Sequence, residues 1–148
     1  MLFCAAAAGG FVRSTGAAEV VKGARATLSG FLDTLLPADE YSPSASALGT
    51  PDRLLAEAER DPLYLRLIRA GCEWIDLQTQ GEFAGAPEAA RGLVVDWMSK
   101  APRDSVPRRF FDLVRDHALV LYYSTPAGWR GTGFEHPPQP LGYPEAGR

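Results

Sequence analysis

Apolar positions recur along this chain at three- and four-residue intervals, the spacing that lays side chains along one face of an α-helix. Val20, Ala24, Leu28, Phe31, Leu32 and Leu35 form the first such stripe. It predicts a helix from about Ala17 to Leu36, ended by Pro37. A polar loop containing proline and serine follows from Ala38 to Gly49. Thr50-Pro51-Asp52 then reads as an N-cap, a first-turn proline and an acidic residue at the positive helix end, opening a short helix to about Arg60. Asp61-Pro62 repeats that device and opens the strongest helix, Pro62 to Gln80, with Gly81 as its stop. The apolar face of this helix takes Tyr64, Leu67, Ile68, Gly71, Cys72, Ile75 and Thr79, with Trp74 beside it. Pro87 starts a further helix with Ala90, Leu93, Val94, Trp97 and Met98 on one side. Pro102 and Pro107 bracket a loop, and the last helix runs from Pro107 to Tyr123, its aromatics Phe110, Phe111, Tyr122 and Tyr123 spaced as core residues.

No segment alternates with period two for long enough to predict a strand, and no internal repeat is present. The expected class is all-α: four to five helices in one compact, bundle-like domain, with an irregular C-terminal tail rich in aromatics and proline. The domain covers residues 17–125. Residues 1–16 are expected to be an export-signal remnant or a frayed N-terminus, and residues 126–148 an extended docking tail.

That tail carries the sharpest functional signal. From Trp129 onward it holds Phe134, His136 and Tyr143 among Pro137, Pro138, Pro140 and Pro144, with no helical or strand period. It cannot bury its aromatics against itself, so it must lie on its own helices or on a partner. Trp129, Phe134, His136 and Tyr143 are therefore the candidate partner-binding residues. The alternatives are self-packing for the three aromatics and an ordinary surface position for His136.

Bulk properties narrow the function classes. A chain of 148 residues with 46% hydrophobic content can bury a real core. The net charge of −3 and a longest basic cluster of only Arg108-Arg109 argue against nucleic acid as a partner. No apolar run approaches the roughly 20 residues that a bilayer span needs. Met1 to Val12 resembles the apolar part of a signal peptide but has no basic residue ahead of it, and Phe3 spoils Leu2-Phe3-Cys4 as a lipobox.

Candidate chemistry is thin. There is no glycine-rich phosphate loop, no Gly-x-Ser-x-Gly, no zinc spacing and no haem-attachment motif, so no catalytic, cofactor-binding or metal-binding residue is assigned. Cys4 and Cys72 make no disulfide framework; Cys72 reads as a small buried hydrophobe, with a bridge to a partner as the alternative. His117 lies on the apolar face of the last helix and reads as a packed, hydrogen-bonded histidine, with a general base as the rival. Asp39 and Glu40 are paired carboxylates whose simplest role is to bond the backbone of their own loop.

Three stretches carry a resemblance. Phe31-Leu32-Asp33-Thr34-Leu35-Leu36-Pro37-Ala38-Asp39-Glu40 is similar to a leucine-rich helix ending in a proline–alanine–acidic turn, and Ile68-Arg69-Ala70-Gly71-Cys72-Glu73-Trp74-Ile75-Asp76 to a central helix. Phe110-Phe111-Asp112-Leu113-Val114-Arg115, with Tyr122-Tyr123 and Gly142-Tyr143-Pro144, resembles a closing helix and a glycine–aromatic–proline end. In this order, from about Leu28 to Pro144, they resemble the small (gamma) subunit, subunit 3, of membrane-bound gluconate 2-dehydrogenase and related sugar dehydrogenases. The chain departs from that pattern in lacking a twin-arginine leader and in its additional tail prolines.

The resemblance implies a non-catalytic accessory subunit, with no cofactor of its own. FAD would belong to a large flavoprotein of the glucose–methanol–choline (GMC) type, and haem c to a cytochrome c subunit. The small subunit would assist folding, Tat export or stability of the large one, in the periplasm, reaching the membrane through its partners. Two rival readings remain: a free-standing enzyme using His117 with an acidic residue, and a small helical ligand-binding protein.

Overall fold

The computed structural model describes residues 15–133, with side-chain surroundings from residue 23 onward. Among these residues there are six α-helices and no strand. They are α1 (Thr15–Leu35), α2 (Thr50–Ala58), α3 (Pro62–Gln78), α4 (Glu88–Lys100), α5 (Val106–Tyr123) and the one-turn α6 (Pro126–Trp129), followed by a 3-10 turn at Arg130–Thr132. The all-α class and the five principal helices are those the apolar periodicity predicts.

Helix α5 is the hub, packing against every other helix and most extensively against α3. Its Phe110, Phe111, Val114, Ala118, Leu121 and Tyr122 are buried, and they meet Leu28, Phe31 and Leu32 of α1 and Ile68, Cys72 and Ile75 of α3. Phe31 stands edge-on to Phe110 at 4.9 Å between ring centroids, the arrangement that sets the positive ring edge against the negative face. Between α3 and α4, Phe83 is fully buried although no periodic stripe singles it out. Its backbone N–H donates to Asp76 at 3.1 Å, and the same carboxylate accepts the Thr27 hydroxyl at 2.8 Å, tying α1, α3 and this turn together.

Local signals place most boundaries correctly. The Asp61 carboxylate accepts from the backbone N–H groups of Leu63 and Tyr64, the N-cap that Asp61-Pro62 predicts. Gly81 has φ 98° and its N–H donates to the Asp76 carbonyl at 2.7 Å, which closes the last turn of α3. Asp39 accepts from the N–H groups of Tyr41 and Ser42, so this acidic residue bonds its own loop.

Several expectations are corrected. Thr50 is not the N-cap of α2: Gly49 takes that place with φ 68°, and Thr50 is buried in the first turn with its hydroxyl unpaired. On α4 the expected Met98 is buried and Val94 packs against the core, but Val95 joins them in place of Leu93 and Trp97, which are 73% and 52% exposed. Helix α4 is apolar round much of its circumference, and its contacts with α1 and α5 decide which stripe turns inward. Tyr123, expected in the core, is exposed beyond the end of the α5 stripe. The extended docking tail does not begin at residue 126, because Thr125 caps a helical turn by accepting from the Gly128 N–H. Gly128 fits there because it has no side chain: a methyl group would stand 2.3 Å from the Tyr122 carbonyl oxygen.

Candidate functional site

Helices α3 and α5 run antiparallel, since Tyr64 meets His117 at one end of their contact and Gly71 meets Phe110 further along. Their inner faces form the core. Their outer edges leave an open groove of about 840 Å³. Leu63, Leu67 and Ala70 line it from α3, and Val106, Leu113 and Val120 from α5. Three of these side chains are strongly exposed: Leu63 and Val120 at 69% and Leu113 at 53%. Single exposed apolar residues are ordinary, but several along one trough mark a surface fit for a partner or ligand.

One end of the groove is polar. His117 Nε2 lies 2.5 Å from a Glu57 carboxylate oxygen on α2, and Nδ1 lies 3.1 Å from the Tyr64 hydroxyl. Burial, and then the nearby charge of Glu57, pushes the Tyr64 hydroxyl well above the usual phenol range, so Tyr64 keeps its proton. The Glu57 carboxylate can only accept, so Nε2–H donates to it, and in the neutral imidazole Nδ1 then accepts from the Tyr64 hydroxyl. Both ring nitrogens are engaged within the chain, and the imidazole pins α2, α3 and α5 together.

A second exposed patch lies on α3 and α4. Trp74 and Trp97 stack at 5.1 Å and 19°, with Leu77 and Leu93 exposed on the same helices. Cys72 is a free thiol buried against α1, its Sγ 3.5 Å from the Ala24 carbonyl. Burial, and then the Asp76 charge, pushes this thiol up to about 12. That environment favours the packed-thiol reading over a bridge to a partner. Among the described residues no cluster of three or more His, Cys, Asp or Glu side chains forms a metal site, and no helix is long and apolar enough to cross a membrane.

Of the residues proposed from the sequence to bind a partner, Trp129 ends the one-turn helix α6 and is half-buried. Phe134, His136 and Tyr143 lie outside the described residues. The structure thus brings forward an aliphatic surface that the aromatic tail residues do not mark. Its signal was present: Val106, Leu113 and Val120 are spaced by seven residues, a second apolar stripe beside the core stripe of α5.

A family model described as gluconate 2-dehydrogenase subunit 3 matches residues 22–137, most of the chain. The chain belongs to the gluconate 2-dehydrogenase subunit 3 family. Membership makes it a component of a multi-subunit assembly. Among curated proteins and among solved structures, no match was found. Of the stretches that carry the resemblance, the end of α1 with its turn, the middle of α3 and the α5 part of the third converge on the core around Phe31, Gly71 and Phe110, and Gly142-Tyr143-Pro144 lies outside the described residues.

Proposed function

We propose that this subunit 3 family member is a non-catalytic small subunit that assists folding, export or stability of a large FAD-dependent flavoprotein in a periplasmic sugar or polyol dehydrogenase. The observation that carries this reading is the exposed apolar groove between α3 and α5 in a chain of a subunit family. A water-exposed trough of leucine and valine side chains is stabilised when a partner covers it. In this reading FAD sits in the large subunit, haem c in a cytochrome c subunit, and any membrane association comes through the partners. Trp129, Phe134, His136 and Tyr143 add a second contact to the same assembly.

Coexpression tests it. The flavoprotein made with this chain should be recovered soluble, exported and active, and without it in much lower yield. Equal yield and activity in both cases overturn the reading. The purified chain should also show no stoichiometric visible chromophore, since the FAD and haem are assigned elsewhere.

The rival, catalysis through His117 and an acidic residue, has one observation in its favour: the structure does place Glu57 against the ring. With both nitrogens already bonded, a structural pin explains the same geometry. His117→Gln should leave turnover of the assembled complex unchanged. Loss of turnover at unchanged assembly would favour the rival.

A further inference from the structure

Val106, Leu113 and Val120 follow one another at seven-residue spacing along the outer edge of α5, about 21 Å from end to end at roughly 1.5 Å per residue. Facing them on α3, Leu63, Leu67 and Ala70 follow at four and three residues. Two antiparallel helices presenting such stripes side by side form the seat into which a third helix sets its own apolar ridge. The groove's charged rim supplies a sign. The rim carboxylates are occupied: Asp61 caps α3, and Asp116 pairs with Arg115 at 2.7 Å. The rim arginines, Arg66 and Arg109, are exposed and form no ion pair among the described residues.

We infer that the α3–α5 groove seats one amphipathic helix of the partner subunit, with apolar residues at helical spacing on its buried face and acidic residues at its flank opposite Arg66 and Arg109. The inference rests on the subunit reading above and adds to it the face used and the chemistry of the segment bound. Apolar contact along the stripes supplies affinity, and the two arginines set direction and register, as charges flanking a helical seam do. The dependence on arginine also makes association weaken as salt rises.

The test is copurification of the full chain with its coexpressed partner subunits, comparing wild type, Leu113→Asp, Val120→Asp and the pair Arg66→Glu with Arg109→Glu. All these positions are solvent-facing, and circular dichroism of each variant checks that it folds. Each aspartate variant should lower recovery of the complex by about tenfold or more, and the double charge reversal should lower it and reverse its salt dependence, since salt then screens a repulsion. If wild type itself fails to copurify, the subunit reading falls and this inference with it. If wild type copurifies and both aspartate variants match it, the groove inference alone is overturned. Loss with aspartate but no effect of charge reversal overturns the acidic-helix assignment. A dimer of the isolated chain that Leu113→Asp dissociates would make the groove a contact between two copies and overturn it as well.

Discussion

Gly71 of α3 lies directly under the ring of Phe110 on α5: a methyl group there would stand 2.0 Å from Cδ2 and 2.8 Å from Cβ of that side chain. The missing side chain is what lets the two helices approach closely at the core. Gly71→Ala gains up to about 1 kcal/mol in helix propensity, but it forces a core side chain aside at a penalty of about 3 kcal/mol. A net loss of about 2 kcal/mol, read as a fall in the urea midpoint, is expected. Combining it with Phe110→Leu should recover part of the loss. A Gly71→Ala chain as stable as wild type would show that Phe110 has room to repack.

Thr50 presents the opposite defect, a polar atom without a partner. Its hydroxyl is buried in the first turn of α2 and makes no hydrogen bond, whereas its backbone N–H is satisfied by the Ala45 carbonyl. Thr50→Val keeps the shape and removes the orphaned hydroxyl, so it should stabilise the fold by about 1 kcal/mol. Thr50→Ser keeps the hydroxyl and loses the methyl group, and should destabilise by a similar amount of about 1 kcal/mol. A loss of stability in the valine variant would reveal a bound water as the hidden partner.

Cys72 gives a pH dependence with a definite sign. An acid group whose folded pKa is raised contributes fully at low pH and loses that contribution as the unfolded chain ionises first. With the folded thiol at about 12, its contribution should fall from about pH 8.5, where an unfolded cysteine titrates, up to that value. In a Cys4→Ser background, Cys72 should react with an alkylating reagent only through unfolding at pH 8, and rapidly in denaturant. Fast labelling of the native chain would contradict the packed-thiol assignment.

His117 joins Glu57, 60 residues earlier, to Tyr64, 53 residues earlier. Replacing it with alanine removes a bond to each of two helices and should destabilise by about 1–2 kcal/mol. Glu57→Gln keeps an acceptor for the Nε2–H and should be milder than Glu57→Ala. A thermal-melt cycle on His117 and Glu57 should show a coupling of about 1 kcal/mol, and strict additivity would mean the pair is not a pin.

Local signals along the chain are enough to locate the principal helices, within a few residues, and to make the domain all-α. Pro37, Asp61-Pro62 and Gly81 act through dihedral angles and hydrogen bonds inside one turn, so their effect needs no knowledge of the rest of the chain. The core stripes of α1, α3 and α5 were legible for the same reason, since period alone places them on one face. Tertiary structure decided what period leaves open. On α4 and α5 more apolar positions exist than neighbouring helices can cover, and only packing buried Val95 rather than Leu93 and Trp97 and left Leu113 and Val120 in a groove. Thr50 carries the residue type of a cap, yet the left-handed turn at Gly49 moved it into the core. His117 was readable as a packed histidine, but Glu57 and Tyr64 stand on other helices. No local pattern reports contacts across so many residues, because they exist only once the helices have docked.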